Sequence, residues 1–104
     1  MILIDNVDEM RLTAMLESMP WTLSKISTSP TADGRTSVEV VGTNGLMVIH
    51  LIFVISPKNV TIVFVDRNTV VNDNFATTLR DLLIKSHVSF ETKVKKWRVR
   101  EVNK

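Results

Sequence analysis

Residues 46–55 contain one polar side chain, His50, in a run of ten. Side chains on a strand point alternately to the two faces of its sheet, so a strand without polar alternation needs cover on both faces. A break at residues 56–59, which contains Pro57, separates this run from residues 60–65. The second run is rich in β-branched residues, which favour strands, whereas the break has the composition of a turn. We therefore predict a hairpin at the centre of a β-sheet.

Two more strands are predicted before this hairpin, at residues 21–28 and 36–41, with a loop at 29–35 that contains proline, aspartate and glycine. The dipeptide Asn44-Gly45 is a strong signal for a tight turn into the central run. The strands at 36–41, 46–55 and 60–65 should thus form an antiparallel meander. The apolar residues 1–4 either add a short strand or simply pack against the sheet.

Helical spacing of apolar residues predicts two helices. In the first, Asn6 and Glu9 have the spacing of a capping box and Pro20 ends the helix. Asp73 is predicted to cap the second, and His87 follows its last turn, where a donor meets the free carbonyl groups. The apolar positions are Leu12, Met15, Leu16 and Met19 in the first helix and Phe75, Leu79, Leu82 and Leu83 in the second.

The sequence thus predicts one α+β domain over residues 1–104: an antiparallel sheet of about five strands with two helices, in the order α-β-β-β-β-α-β. If both helices lie on one face of the sheet, the other face has no cover from this chain. Exposed apolar patches of more than a few hundred Å² usually mark association surfaces. We therefore expect a homodimer or a protein partner across that face.

Positive charge is concentrated at the C-terminal end. Residues 85–104 hold seven Lys/Arg against two glutamates, a net +5, whereas the whole chain is only +2. The apolar alternation in this stretch slips by one residue at Lys95-Lys96, which predicts a β-bulge within one long strand. The candidate partner-binding residues are Lys93, Lys95, Lys96, Trp97, Arg98 and Arg100.

This basic strand has other interpretations. It is equally consistent with a solvated outer strand, because lysine on an edge strand discourages aggregation. Its charge is also open to neutralisation, within the fold or across a dimer, by acidic residues near the first helix. These are Asp5, Asp8, Glu9 and Glu17.

Little in the sequence indicates catalysis. The chain has no cysteine, which excludes disulfides and thiolate chemistry. Neither histidine has a neighbour at metal-ligand spacing, and His50, between Val48 and Ile52, is typical of a hydrogen-bonded core histidine. No phosphate-binding glycine loop is present. We therefore predict a non-enzymatic protein with no catalytic, cofactor-binding or metal-binding residues.

A remote enzymatic alternative comes from Asp33 followed by Glu39-Val40-Val41. This arrangement, with the coarse order of elements, resembles the PD-(D/E)xK nuclease core. The resemblance implies that Asp33 and Glu39 hold a divalent cation that activates water. The position that the motif gives to lysine holds Val41, so this would be a degenerate member.

Our preferred interpretation is a small regulatory or inhibitory binding protein that masks a protein surface, using the basic strand and an apolar sheet face. The alternative is a nucleic-acid-binding module that contacts phosphates through the same basic residues. Residues 1–10 lack the basic region of a signal peptide, and the apolar run is about half the ~20 residues needed to cross a bilayer. We therefore expect a cytoplasmic protein with no membrane contact.

Overall fold

The computed structural model describes residues 1–5, 7–86, 90–94 and 97–101. Within them the chain forms a single antiparallel sheet of seven strands with two helices. The elements are, in order, β1 (Ile2–Asp5), α1 (Glu9–Leu16), β2 (Thr22–Pro30), β3 (Thr36–Asn44), β4 (Met47–Ile55), β5 (Asn59–Phe64), α2 (Thr69–Lys85), β6 (Phe90–Val94) and β7 (Trp97–Glu101). The predicted α+β class, antiparallel sheet and two helices are confirmed.

The strand order across the sheet is β2-β3-β4-β5-β1-β6-β7. Consecutive strands from β2 to β5 form the predicted meander, which is confirmed by their antiparallel registers. Gly45, with φ of 60°, is the first of two residues between the paired positions Asn44 and Met47. A positive φ at this position is readily adopted by glycine and fits a two-residue hairpin.

The N-terminal strand β1 inserts between β5 and β6, so Ile2 lies opposite both Ile62 and Thr92. Of the two alternatives for residues 1–4, the structure therefore shows a strand, and one in the interior of the sheet. This strand precedes α1, so the element order differs from the predicted one at its start.

The predicted single C-terminal strand with a bulge is wrong. The chain forms two antiparallel strands, β6 and β7, in which Val94 lies opposite Trp97. A reversal over two intervening residues shifts apolar alternation by one position, as a bulge would, so the sequence pattern does not distinguish the two. Lys95 and Lys96, at this point of the chain, lie outside the described residues.

Both helices begin at other residues than predicted. Asp8 caps α1 by accepting a hydrogen bond from the backbone N–H of Arg11 at 2.8 Å, so the helix begins at Glu9. Asn6, like the predicted helix-ending His87, lies outside the described residues. The first helix ends at Leu16, short of Pro20.

The cap of the second helix lies five residues before the predicted cap, Asp73. Asn68 caps it and accepts a hydrogen bond from the backbone N–H of Val71 at 3.3 Å. Val71 is buried one helical turn before Phe75, so it extends the apolar stripe backwards. Within the described chain neither helix combines the length and apolar composition that crossing a membrane requires.

Both helices pack against the same face of the sheet, which we call the covered face. Phe75 is fully buried there, in edge-to-face contact with Trp21 and Phe64 at ring-centroid distances of 5.6 and 6.3 Å. Aromatic pairs prefer this geometry. The surrounding core includes Leu12, Leu16, Leu79 and Leu83 from the helices and Ile49, Leu51 and Phe53 from β4.

Candidate functional site

The opposite side of the sheet, which we call the open face, has no helix against it in the described part of the chain. Along β4, the buried Ile49, Leu51 and Phe53 alternate with residues that keep some exposure. These are Val48, His50, Ile52 and Val54, of which Val48 is 59% exposed. Among the described residues, the helices thus cover one face of the sheet, whereas the sequence predicts a need for cover on both.

The strands beside β4 extend this apolar surface. Val41 of β3 lies opposite His50, and Val63 of β5 lies opposite Ile52. Directly opposed residues of an antiparallel pair share a face, so both valines belong to the open face. The result is an apolar stripe across three strands, in positions where a solvated antiparallel sheet usually carries polar residues.

One polar cluster interrupts the stripe. Glu39 of β3 accepts a hydrogen bond from the Ser27 hydroxyl at 3.1 Å, and its other carboxylate oxygen lies 2.6 Å from His50 Nε2. The side chains of His50 and Glu39 keep 30% and 38% exposure. The predicted hydrogen-bonded state of His50 is therefore confirmed, but the residue lies at a half-buried surface instead of in the core.

A β-bulge brings Ser27 to this cluster. Lys25 lies opposite Val40, yet Ser27 lies opposite Glu39, so Ile26 is an extra residue in β2. The extra residue reverses the alternation, which moves Ser27 to the open face. Without the bulge Ser27 would point to the covered face, away from Glu39.

The order of contacts limits what the cluster does chemically. Activation of a serine needs a base that accepts its proton, usually a histidine held by a carboxylate. Here the serine contacts the carboxylate, and the histidine lies on the other side of it. The cluster therefore does not have the geometry of a nucleophile–base pair.

The two acidic residues of the nuclease resemblance bind different partners. Asp33 lies in the turn between β2 and β3, where Arg35 binds it at 2.7 Å and Thr31 donates a second hydrogen bond. The Arg35 side chain, followed by that of Thr31, holds the pKa of Asp33 well below its usual range. Glu39 lies within β3, three residues after the strand begins at Thr36. It is therefore roughly 10 Å along the strand from the end of the turn that holds Asp33. No group of three metal-ligating side chains occurs among the residues that the structure describes.

The structure divides the predicted partner-binding residues between two strands. Lys93 of β6 lies opposite Arg98 of β7, Arg100 lies opposite Glu91, and Trp97 lies opposite Val94. The remaining two candidates, Lys95 and Lys96, lie outside the described residues. Of the acidic residues predicted to offset this charge, Glu9 binds Lys25 at 3.5 Å and Asp8 caps α1.

A concave surface, which we call the α1 groove, lies between α1 and the covered face near β2. Its cavity volume is about 340 Å³. The apolar walls are formed chiefly by Leu12, Leu16, Leu23, Val38, Val40 and Phe53, and the polar residues around them include Glu9, Thr13, Glu17 and Lys25. Sequence reasoning missed this groove, because its lining combines side chains from α1 and three strands, which no local pattern brings together.

A comparison with known proteins finds no matching family model, no matching curated protein and no matching solved structure.

Proposed function

We propose that this chain is a small non-enzymatic binding protein that masks a surface of another protein, and that it pairs with a second copy of itself through the open face. The observation that supports this proposal most is the apolar stripe across β3, β4 and β5 on a face that neither helix covers. Burial of such a stripe from water is favourable at ~25 cal/mol per Å².

The strands from β2 to β1 in the sheet order provide the area for a dimer and leave β6 and β7 for the masked protein. These five strands, ~4.8 Å apart, span roughly 19 Å, and the nine-residue strands β3 and β4 are roughly 30 Å long. The area is at most roughly 570 Å² from each partner, which corresponds to an interface at the small end of the usual range. Two sheets that pack face to face keep their strands within about 30° of each other. The open face therefore fits a second copy as its occupant.

The Glu39–His50 pair supplies the polar part of such an interface. His50 Nε2 lies 2.6 Å from the Glu39 carboxylate, and the other ring nitrogen, Nδ1, is not part of this contact. Interfaces combine an apolar centre with a few polar groups that fix orientation. The pair would hold the register of two apolar stripes.

The basic residues of β6 and β7 would meet the protein that is masked. Residues 85–104 carry a net +5, and the register places Lys93 beside Arg98. An acidic protein surface complements this charge and raises the rate of encounter. If Trp97 or Arg98 is an anchor, its truncation should cost about 2 kcal/mol or more of binding.

Phosphate binding by the same residues is the alternative function. A titration with generic duplex and single-stranded nucleic acid at two salt concentrations separates the two. The alternative predicts a binding constant that falls steeply with salt, whereas the protein-binding proposal predicts no binding of either probe at low salt.

Sedimentation equilibrium of the full chain tests the dimer. Val48→Lys places a charge on the open face, and Val70→Lys makes the same change at an exposed site of α2 (75% exposed). By sedimentation, the unaltered chain and Val70→Lys should be dimers and Val48→Lys should be a monomer. Circular dichroism should show that Val48→Lys is folded. A monomeric unaltered chain, or equal association of both variants, would contradict the proposal.

A further inference from the structure

The α1 groove lies between a short helix and longer strands. Eight helical residues extend about 12 Å, whereas the nine residues of β3 extend roughly 30 Å. Between α1 and these strands lies a cavity of about 340 Å³. Its lining extends along the β2–β3 pair from Leu23, which lies opposite Gly42, to Val38, which lies opposite Thr28. This volume lies within the range of small-molecule sites, which are mainly apolar with a few polar groups.

The charges around the groove are predominantly negative. Glu9 and Glu17 of α1 and Lys25 of β2 all line it. Lys25 binds Glu9 at 3.5 Å, whereas Glu17 has no ion-pair partner among the described residues. Among the described residues that line the groove, Lys25 is thus in an ion pair and Glu17 is not.

Glu17 also lies where the helix itself disfavours a negative charge. It is the C-terminal cap of α1, and the last turn of this helix contains no basic residue. The C-terminus of a helix carries a partial negative charge, which a cation offsets. The helix end and the Glu17 carboxylate therefore attract a positive group to the same end of the groove.

From this combination we propose that the α1 groove binds a small organic cation with an apolar body, of the alkylamine or arylalkylamine class. The apolar part occupies the cavity between Leu12, Val40 and Phe53, and the ammonium group lies beside Glu17. An anionic amphiphile of the same size meets two carboxylates and one lysine around the groove, so it should bind less tightly. The site is independent of the open face and of the proposed dimer.

Three probes with the same eight-carbon body separate the contribution of the head group. They are octylamine (an ammonium ion at pH 7), octanol and octanoate. Isothermal titration of the full chain should give the tightest binding for octylamine, followed by octanol and then octanoate. One exposed carboxylate should favour the amine over the alcohol by about two- to fivefold. Tighter binding of octanoate, or no saturable binding of any probe, would overturn the proposal.

Substitutions locate the binding. Glu17→Gln should remove the preference for octylamine over octanol and leave the affinity for octanol unchanged. Thr13→Phe places a ring at the groove, whereas Ala14→Phe makes a comparable change at an exposed residue of α1 that does not line it. Thr13→Phe should reduce the affinity for all bound probes at least tenfold, and Ala14→Phe should not.

Fluorescence gives a second readout. Trp21 lines the groove, and Trp97 is the other tryptophan of the chain, so Trp97→Phe leaves Trp21 as the sole indole reporter. Octylamine should change its emission with the same midpoint that calorimetry gives. Saturable binding that leaves Trp21 emission unchanged and is unaffected by Thr13→Phe would place the ligand elsewhere and contradict the assignment.

Discussion

The two sides of β4 have nearly the same composition but different environments. On the covered face Ile49, Leu51 and Phe53 are 1%, 0% and 5% exposed, whereas on the open face Val48 is 59% exposed. Apolar residues on the first side are explained by the helices that pack on them. Those on the second side have no such explanation within the described chain, and contiguous apolar surface of this kind typically marks an association site.

The largest effect that distinguishes the two faces should come from adjacent residues of β4. Leu51→Ala leaves a cavity in a packed core and should lower the free energy of unfolding by about 2–5 kcal/mol. Ile52→Ala removes a side chain that is already partly hydrated, so it should cost only about 1 kcal/mol in dilute solution. Urea denaturation at low protein concentration measures both. Equal losses of unfolding free energy in Leu51→Ala and Ile52→Ala would mean that the open face is covered by part of the chain itself.

A smaller effect should come from glycines with different surroundings. A Cβ atom added at Gly42 would lie 2.7 Å from Leu23 Cδ2 and 2.9 Å from Ile49 Cγ2, so Gly42→Ala should cost about 1–3 kcal/mol by overpacking the covered face. A Cβ at Gly45 would meet nothing within 4 Å, but its φ of 60° strains any other residue by about 1–2 kcal/mol.

Thermal unfolding with calorimetry compares the two glycine variants. Gly42→Ala should be rescued in part by a second change, Leu23→Ala, which removes the closest atom. Gly45→Ala should show no such rescue. If the loss of stability caused by Gly42→Ala is the same with and without Leu23→Ala, close packing at this site is contradicted.

The smallest expected effect lies outside both faces, at Asp33. Its pKa is lowered by Arg35 and then by Thr31, so the folded state binds this proton more weakly than the unfolded state. The stabilisation is therefore present above the ordinary pKa of Asp, ~3.9, and is lost as the pH falls below it. Because Asp33 is solvent-exposed, the effect should be small. Asp33→Asn should slightly lower the unfolding midpoint at pH 7, and this effect should shrink progressively as the pH falls from about 4 toward 2. Arg35→Gln should add nothing further to it.

The centre of the fold was predictable because strong local signals agree there. The continuous apolar run, the Asn44-Gly45 turn and the break at residues 56–59 all specify the same hairpins. The C-terminal strands were not predictable in this way, because a bulge and a two-residue reversal produce the same slip in alternation. The interior position of β1 depends on pairing with β5 and β6, which four residues of sequence do not encode.

The candidate surfaces were predictable to different degrees. An uncovered apolar face follows from the composition of β4 once both helices lie on one side. The Ser27–Glu39–His50 cluster requires the bulge at Ile26, and residues 22–30 carry no glycine or other local signal for it. The α1 groove is formed by side chains of α1, β2, β3 and β4, and their packing against one another is not encoded in any local stretch of sequence.

Single-thiol labelling tests the role of the open face most directly. The chain contains no cysteine, so Val48→Cys and Val70→Cys each introduce a unique thiol at an exposed valine. The labelling rate of each variant with a maleimide is measured across a range of protein concentrations that spans monomer and dimer. If the open face pairs two copies, labelling at residue 48 should slow as concentration rises while labelling at residue 70 stays constant. A rate at residue 48 that does not change with concentration would contradict the account.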